Sequence, residues 1–123
     1  MKFSDVLESY RLEETNELNE MANLSKRKYK MPANLYISAR GNAKHGPRIK
    51  IQMNHSDRVD SKQFVTMTIP DKILIGDPGD LSNEDIEYFE RFIDVNKDVL
   101  LDYWFNGEER FIEDVIESLK FNV

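Results

Sequence analysis

The chain of 123 residues contains no cysteine, only two histidines and no long hydrophobic run. Without cysteine, the protein has no disulfide, thiolate metal site, iron–sulfur cluster or cysteine nucleophile. Its longest uninterrupted apolar stretches, Ile73–Ile75 and Val99–Leu101, are three residues each, whereas about 20 are needed to cross a bilayer. The N-terminal residues also lack the apolar region of a signal peptide. We therefore expect a cytoplasmic protein without a membrane partner.

Motifs of known catalytic and nucleotide sites are missing as well. The sequence has only five glycines and contains neither a P-loop nor a Gly-x-Gly-x-x-Gly run. It has no Gly-x-Ser-x-Gly motif and no closely spaced histidine pair. These absences predict a protein that is not an enzyme and has no metal or cofactor. A carboxylate metal site, and with it a small metal-dependent hydrolase, stays open as an alternative; its candidate ligands are Asp57, Asp60, Asp77 and Asp80.

Length and hydropathy pattern predict one α+β domain over residues 1–123. Residues 1–30 are expected to form an N-terminal helix, N-capped by Ser4, followed by a basic linker. Residues 34–76 alternate with period two and predict a three- to four-stranded antiparallel β-meander. Residues 82–120 return to helical spacing and predict two C-terminal helices that pack on one face of the sheet. Ser82, with Asp85 three residues on, predicts the start of the first helix, and Asn106-Gly107 predicts its end. The last helix is expected from about Glu108, with Phe111, Val115 and Leu119 on one face.

Charge is segregated along the sequence. Residues 26–50 carry eight basic side chains and no acidic one, whereas residues 81–123 carry twelve acidic and four basic ones. The net charge of −6 is therefore an average over segments of opposite sign. Two interpretations follow: the basic and acidic regions neutralise each other, or each faces a partner.

Two sets of side chains are the candidate binding residues. Lysine and arginine neutralise phosphates or pair with acidic groups, and an exposed tyrosine can stack on a base. The basic set, for a protein or nucleic-acid partner, comprises Lys26, Arg27, Lys28, Lys30, Tyr36, Arg40, Lys44, His45, Arg48 and Lys50. Within it, Tyr36, Arg48 and Lys50 are expected to share a polar sheet face with Gln52. The acidic set, for a basic partner or as a mimic of nucleic acid, comprises Glu87, Glu90, Asp94, Asp98, Asp102, Glu109 and Glu113.

Three further features stand out in the C-terminal half and the loops. Asn96 interrupts the apolar stripe of the long helix, which indicates a bend, a buried hydrogen bond or a position that specifies an interface. The consecutive aromatics Tyr103–Phe105 cannot all face inward, so at least one of them is a candidate interface residue. His45 and His55 are expected in exposed loops.

Residues 31–105 resemble a family of small bacterial proteins that carry a domain of unassigned function. The likeness lies in Met31-Pro32, in the loop from His45 to Ile51 that leads into a strand, and in a helix ending Asn96-x-x-x-Leu100-Leu101-x-x-Trp104. His45 matches one histidine of the family's histidine–proline cluster, and Arg48 stands where another would be. Members are often encoded near toxin–antitoxin or mobile-element genes. The resemblance implies a small α+β accessory protein from a phage or mobile element.

Together these observations predict a small non-enzymatic regulatory protein or inhibitor that binds a macromolecule. A protein partner, in a host or defence system, is the leading hypothesis. An RNA- or DNA-binding module that uses residues 26–50 is the alternative.

Overall fold

A computed structural model describes residues 21–60 and 62–123 of the chain. Within them, the strands are β1 (Met21–Leu24), β2 (Leu35–Ser38), β3 (Arg48–Gln52), β4 (Phe64–Thr68) and β5 (Leu74–Ile75). They form one antiparallel sheet in the order of the sequence. The helices are α1 (Lys26–Tyr29), α2 (Asn83–Asn106) and α3 (Ile112–Ser118), with a 3₁₀ turn at Gly107–Glu109. The α+β class, the antiparallel meander and the long C-terminal helix are thereby confirmed.

The N-terminal helix is not confirmed, because the part of it that the structure describes is a strand. In Met21–Leu24, Ala22 pairs with Ile37 and Leu24 with Leu35. Pairing with β2 buries Leu24 on the core side of the sheet, and this burial outweighs the weak helical spacing of the segment. Over the described residues the meander therefore has five strands rather than three or four. The proposed helix start at Ser4 lies outside the described residues.

The basic linker also contains a helical turn. Ser25 caps α1 by accepting a hydrogen bond from the Lys28 backbone N–H, and Lys30 ends it in the left-handed conformation. The backbone N–H of Lys26 donates to the side-chain oxygen of Asn34, at 2.9 Å. This bond ties α1 to the start of β2.

The long helix α2 covers one sheet face and closes the core. Its predicted N-cap is confirmed: Ser82 and Asp85 form a capping box, with hydrogen bonds in both directions. His55, from the loop between β3 and β4, reaches the same carboxylate at 2.8 Å. Partial burial opposes ionisation of Asp85, but the hydrogen bonds from His55 and Ser82 outweigh it and lower its pKa. The helix ends, as predicted, at Asn106-Gly107.

Core side chains come from both layers. The sheet contributes Leu24, Leu35, Ile37, Ile49, Ile51, Val65 and Met67; the helices contribute Phe89, Phe92, Ile93, Leu100 and Val115, and Leu119 follows directly after α3. The last helix begins at Ile112, later than the expected Glu108, because residues 107–109 form the 3₁₀ turn and Arg110 is extended. Asn96 proves to be a buried hydrogen-bonding residue, bound to both main-chain groups of Lys120.

A side-chain amide organises the loop between β3 and β4. Gln52 was expected on an open polar face but is fully buried, because this loop folds back over it. Its Oε1 accepts from Asn34 Nδ2, from the Tyr36 hydroxyl and from the backbone N–H of Asp60. Its Nε2 donates to Asn54 Oδ1 at 2.8 Å and to the Arg58 carbonyl at 3.0 Å. Among the described residues, no buried side-chain nitrogen or oxygen is left without a partner.

We predict that Gln52→Ala lowers the free energy of unfolding by about 2–4 kcal/mol, because several buried donors and acceptors lose their partner. Urea unfolding followed by far-UV circular dichroism measures this. The matched control is Gln63→Ala at an exposed position, for which we expect a change within about 0.5 kcal/mol. Equal effects of the two substitutions would contradict the role assigned to Gln52.

Candidate functional site

The acidic residues predicted on the long helix form one exposed stripe. Glu87, Glu90, Asp94, Asp98 and Asp102 follow one another at three- or four-residue intervals, so each lies about one turn above the last. The stripe lies opposite the buried face that packs on the sheet. It also carries Arg91, and Lys72 pairs with Asp94 at 2.9 Å. By itself this is what the solvated side of an amphipathic helix looks like.

Two phenylalanines make this surface unusual. Phe105 follows Asp98 by two helical turns, so it lies on the same stripe at the C-terminal end of α2. Its exposure is 62%, and that of Phe111, just before α3, is 75%. The expectation that one residue of Tyr103–Phe105 is exposed is thus confirmed, with Tyr103 and Trp104 buried. The spacing of Phe111, Val115 and Leu119 predicts that Phe111 faces inward on the last helix. This is wrong, because the helix begins only at Ile112, and Phe111 precedes it in an extended conformation and is exposed.

A cleft opens beside Phe105. It encloses about 650 Å³ between the loop after β2 and the end of α2. Ala39–Lys44 form one wall and Trp104–Glu109 the other. The walls are held together because the Arg40 backbone N–H donates to the Trp104 carbonyl at 2.8 Å. His45 lies against Trp104, with ring centroids 5.5 Å apart.

The cleft brings together members of the two predicted sets. Arg40 and Lys44 line the first wall, and Glu108 and Glu109 line the second. Below them, Asp102 is bound by Arg110 through two hydrogen bonds of 2.8 and 3.1 Å. The Arg110 hydrogen bond, with a second one from Asn106, holds the pKa of Asp102 below its ordinary value. Asp102 therefore remains charged at neutral pH and fixes the turn that leads to Phe111.

We use the name acidic aromatic surface for Phe105 and Phe111 together with the carboxylates of Asp98, Asp102, Glu108 and Glu109. Glu113 lies in the first turn of α3, immediately beyond Phe111 along the chain. The surface thus combines two exposed aromatic rings with four carboxylates, one of which, Asp102, is paired with Arg110.

The remaining basic residues lie in two other places. Lys26, Arg27, Lys28 and Lys30 surround α1, at the end of β2 away from the cleft, and Lys26 pairs with Asp57 at 3.6 Å. Arg48 and Lys50 lie on the sheet face away from α2, where Lys50 sits 4.7 Å from the Phe64 ring centroid. The four residues of β2 lie between α1 and Arg40, and a strand of this length spans about 13 Å. The basic set is therefore not one patch.

Tyr36 is not an exposed stacking residue. It is 2% exposed, and its hydroxyl donates to Gln52. Burial, with a smaller effect from the charge of Asp60, raises its pKa. Tyr36 and Gln52 do lie on the same sheet face as Lys50, as expected, but this face is covered at both residues. Alternation along a strand does not reveal which parts of a face are covered.

The structure shows no cluster of three or more histidine, aspartate or glutamate side chains able to hold a metal ion in residues 21–60 and 62–123. Over the same residues, none of the helices combines the length and apolar character needed to span a membrane.

No family model, curated protein or solved structure matches this chain. The resemblance over residues 31–105 therefore stays a prediction.

Gly107 sets the width of the cleft. A Cβ at this position would clash with the Cβ of Ala39, and it would lie 3.3 Å from the Tyr103 ring. We predict that Gly107→Ala costs about 1–3 kcal/mol of stability, because the end of α2 must move away from β2. Urea unfolding measures the cost, and the emission of Trp104, the single tryptophan, reports the displaced wall.

Gly46→Ala is the matched control, because a Cβ there has no neighbour within 4 Å. We expect that variant to keep wild-type stability within about 0.5 kcal/mol and to leave the emission unchanged. If Gly107→Ala behaved in the same way, the close approach of α2 to Ala39 would be contradicted.

Proposed function

We propose that the protein is a small cytoplasmic regulatory protein or inhibitor that binds another protein through the acidic aromatic surface. The observation that carries this proposal is the exposure of Phe105, at 62%, where it lines a cleft, together with that of Phe111, at 75%, just before α3. Aromatic side chains dominate the energetics of protein interfaces because they bury a large area at low entropic cost. They supply the affinity, and the surrounding carboxylates supply selectivity.

The charge of the surface favours a basic partner. Residues 81–123 carry twelve acidic and four basic side chains, and Arg110 compensates only Asp102 near the two phenylalanines. Opposite charges steer association and exclude partners of like charge. The same distribution opposes nucleic-acid binding here, since phosphates would meet carboxylates.

The cleft adds a place for a protruding group of the partner. Its two walls carry charges of opposite sign, Arg40 and Lys44 facing Glu108 and Glu109. A polypeptide loop that carries both donors and acceptors fits such walls. We infer that the partner inserts a loop between them, while its apolar surface covers Phe105.

The experiment compares capture from a lysate of the source cells by immobilised wild type and by the double variant Phe105→Ala, Phe111→Ala. We expect the variant to retain less than about a tenth of the main captured protein, as interface anchors cost at least 2 kcal/mol on truncation. Val59→Ala is the control, since it removes an exposed apolar side chain elsewhere. Quantitative mass spectrometry of the eluates provides the measurement.

Two further properties of the captured protein are expected. It is basic, and its retention weakens between 50 and 500 mM salt because the exposed charges are screened. Capture that the double variant does not reduce, or that nuclease treatment abolishes, would contradict the proposal. The second outcome would instead support the nucleic-acid alternative.

A further inference from the structure

Residues 119–123 lie in a groove between α1 and α2, where the Val123 N–H donates back to the Phe121 carbonyl at 3.1 Å. The backbone leaves the helical conformation at Leu119, with φ −78° and ψ 143°. From there inward and outward side chains alternate: Leu119 is buried, Phe121 and Val123 are half-buried, and Lys120 and Asn122 are exposed. This is the pattern of a strand laid on a surface, although no strand of the sheet pairs with it.

The groove holds this segment largely by its main chain. Asn96 Nδ2 donates to the Lys120 carbonyl at 2.7 Å, and Asn96 Oδ1 accepts from the Lys120 N–H at 2.8 Å. The Tyr88 hydroxyl donates to the Phe121 carbonyl at 2.6 Å. A side-chain amide that hydrogen-bonds both the N–H and the carbonyl of one residue recognises the backbone at that residue, whatever side chain the residue carries.

Side-chain recognition is limited to the inward positions. The Phe121 ring stacks on Tyr29 with centroids 4.4 Å apart and lies 5.7 Å from Phe92. Leu119 belongs to the core cluster. The α1 side of the groove is basic, because Tyr29 belongs to α1 and the Lys28 ammonium lies 5.4 Å from its ring centroid. The exposed residue between the two inward ones is nevertheless a lysine, so the charges of rim and segment do not match.

We propose that this groove is a peptide-binding site, occupied here by the chain's own residues 119–123. The external ligand is an extended protein segment with the pattern apolar–acidic–aromatic. It replaces the internal segment because its main chain makes the same three hydrogen bonds and its acidic residue complements the lysines of α1. This site is separate from the acidic aromatic surface and does not rest on it.

Attachment of the segment to the chain explains why the site is closed. An internal occupant competes at an effective concentration in the millimolar range. Its anchoring helix α3 is seven residues long, has no side-chain N-cap and contains one buried residue, Val115, so it restrains the segment less than a long helix would. A partner segment that gains charge complementarity can therefore compete.

The test uses the full chain with Phe121→Ala and a fluorescent peptide of residues 117–123 as the probe. We expect the variant to bind the probe at least about tenfold more tightly than wild type, because the internal competitor has lost its aromatic anchor. The probe with Lys120→Glu is expected to bind more tightly still at low salt, with the gain lost at 500 mM. The probe with Phe121→Ala is the negative control. Lys120→Ala in the chain keeps the main-chain contacts and is expected to leave the site closed.

If the Phe121→Ala chain is folded, as judged by circular dichroism, and these differences in probe binding are absent, the proposal is overturned. If that variant does not fold, the wild-type chain is titrated with the Lys120→Glu probe at millimolar concentration and followed by amide NMR. Release of residues 119–123, seen as new signals for Lys120 and Phe121, then supports the proposal, and unchanged signals overturn it. A concentration-dependent dimer that is lost on Phe121→Ala would assign the groove to a second copy of the chain and overturn the external ligand.

Discussion

The buried amide contact between Gln52 and Asn34 is the interaction on which most of the arrangement depends. The Gln52 side chain holds the loop after β3 by hydrogen bonds to the main chain of that loop, and it accepts a hydrogen bond from Asn34. Asn34 in turn accepts a hydrogen bond from the backbone N–H of Lys26, and this bond positions α1. The same loop carries His55 to the capping carboxylate of Asp85 at the start of α2. One pair of side chains thus connects the sheet, the short basic helix and the long helix. Because buried polar groups are costly when unpaired, this network specifies one arrangement of these elements.

The fold decides between the two interpretations of the segregated charge, mutual neutralisation of the two regions or separate surfaces. The basic and acidic regions do not neutralise each other as two facing layers. Lys26 pairs with Asp57 within its own half of the chain, and Lys50 lies over Phe64 on the sheet face away from α2. The acidic stripe is compensated at Asp94 and Asp102 and faces outward elsewhere. The two predicted sets meet at the cleft, with Arg40 and Lys44 on one wall and Glu109 on the other. The exposed Phe105 lines this cleft, which is why we place partner binding there.

Much of the fold followed from local sequence patterns. The alternation of Arg48–Gln52 predicted the central strand, and the Ser82–Asp85 spacing predicted the start of α2. Both signals are local and agree with the tertiary structure. The edge strand Met21–Leu24 was mistaken for a helix because four residues carry too little periodicity, and its pairing with β2 is a tertiary effect. The burial of Tyr36 and Gln52 could not be predicted for a related reason. Periodicity assigns a side chain to one face of the sheet, whereas its burial depends on which other segments cover that face. The acidic stripe and the exposed aromatic were predictable, since helical spacing alone places them.

The central claim, that the acidic aromatic surface contacts a protein, is tested most directly by photo-crosslinking in living source cells. The photoreactive residue p-benzoylphenylalanine replaces Phe105 or Phe111, and in a control it replaces Ile73, which is 56% exposed on the sheet edge. After irradiation, the account predicts a discrete protein adduct at positions 105 and 111 that resists nuclease and is missing at position 73. Adducts that nuclease removes, or a protein adduct at position 73 with none at 105 and 111, would contradict it.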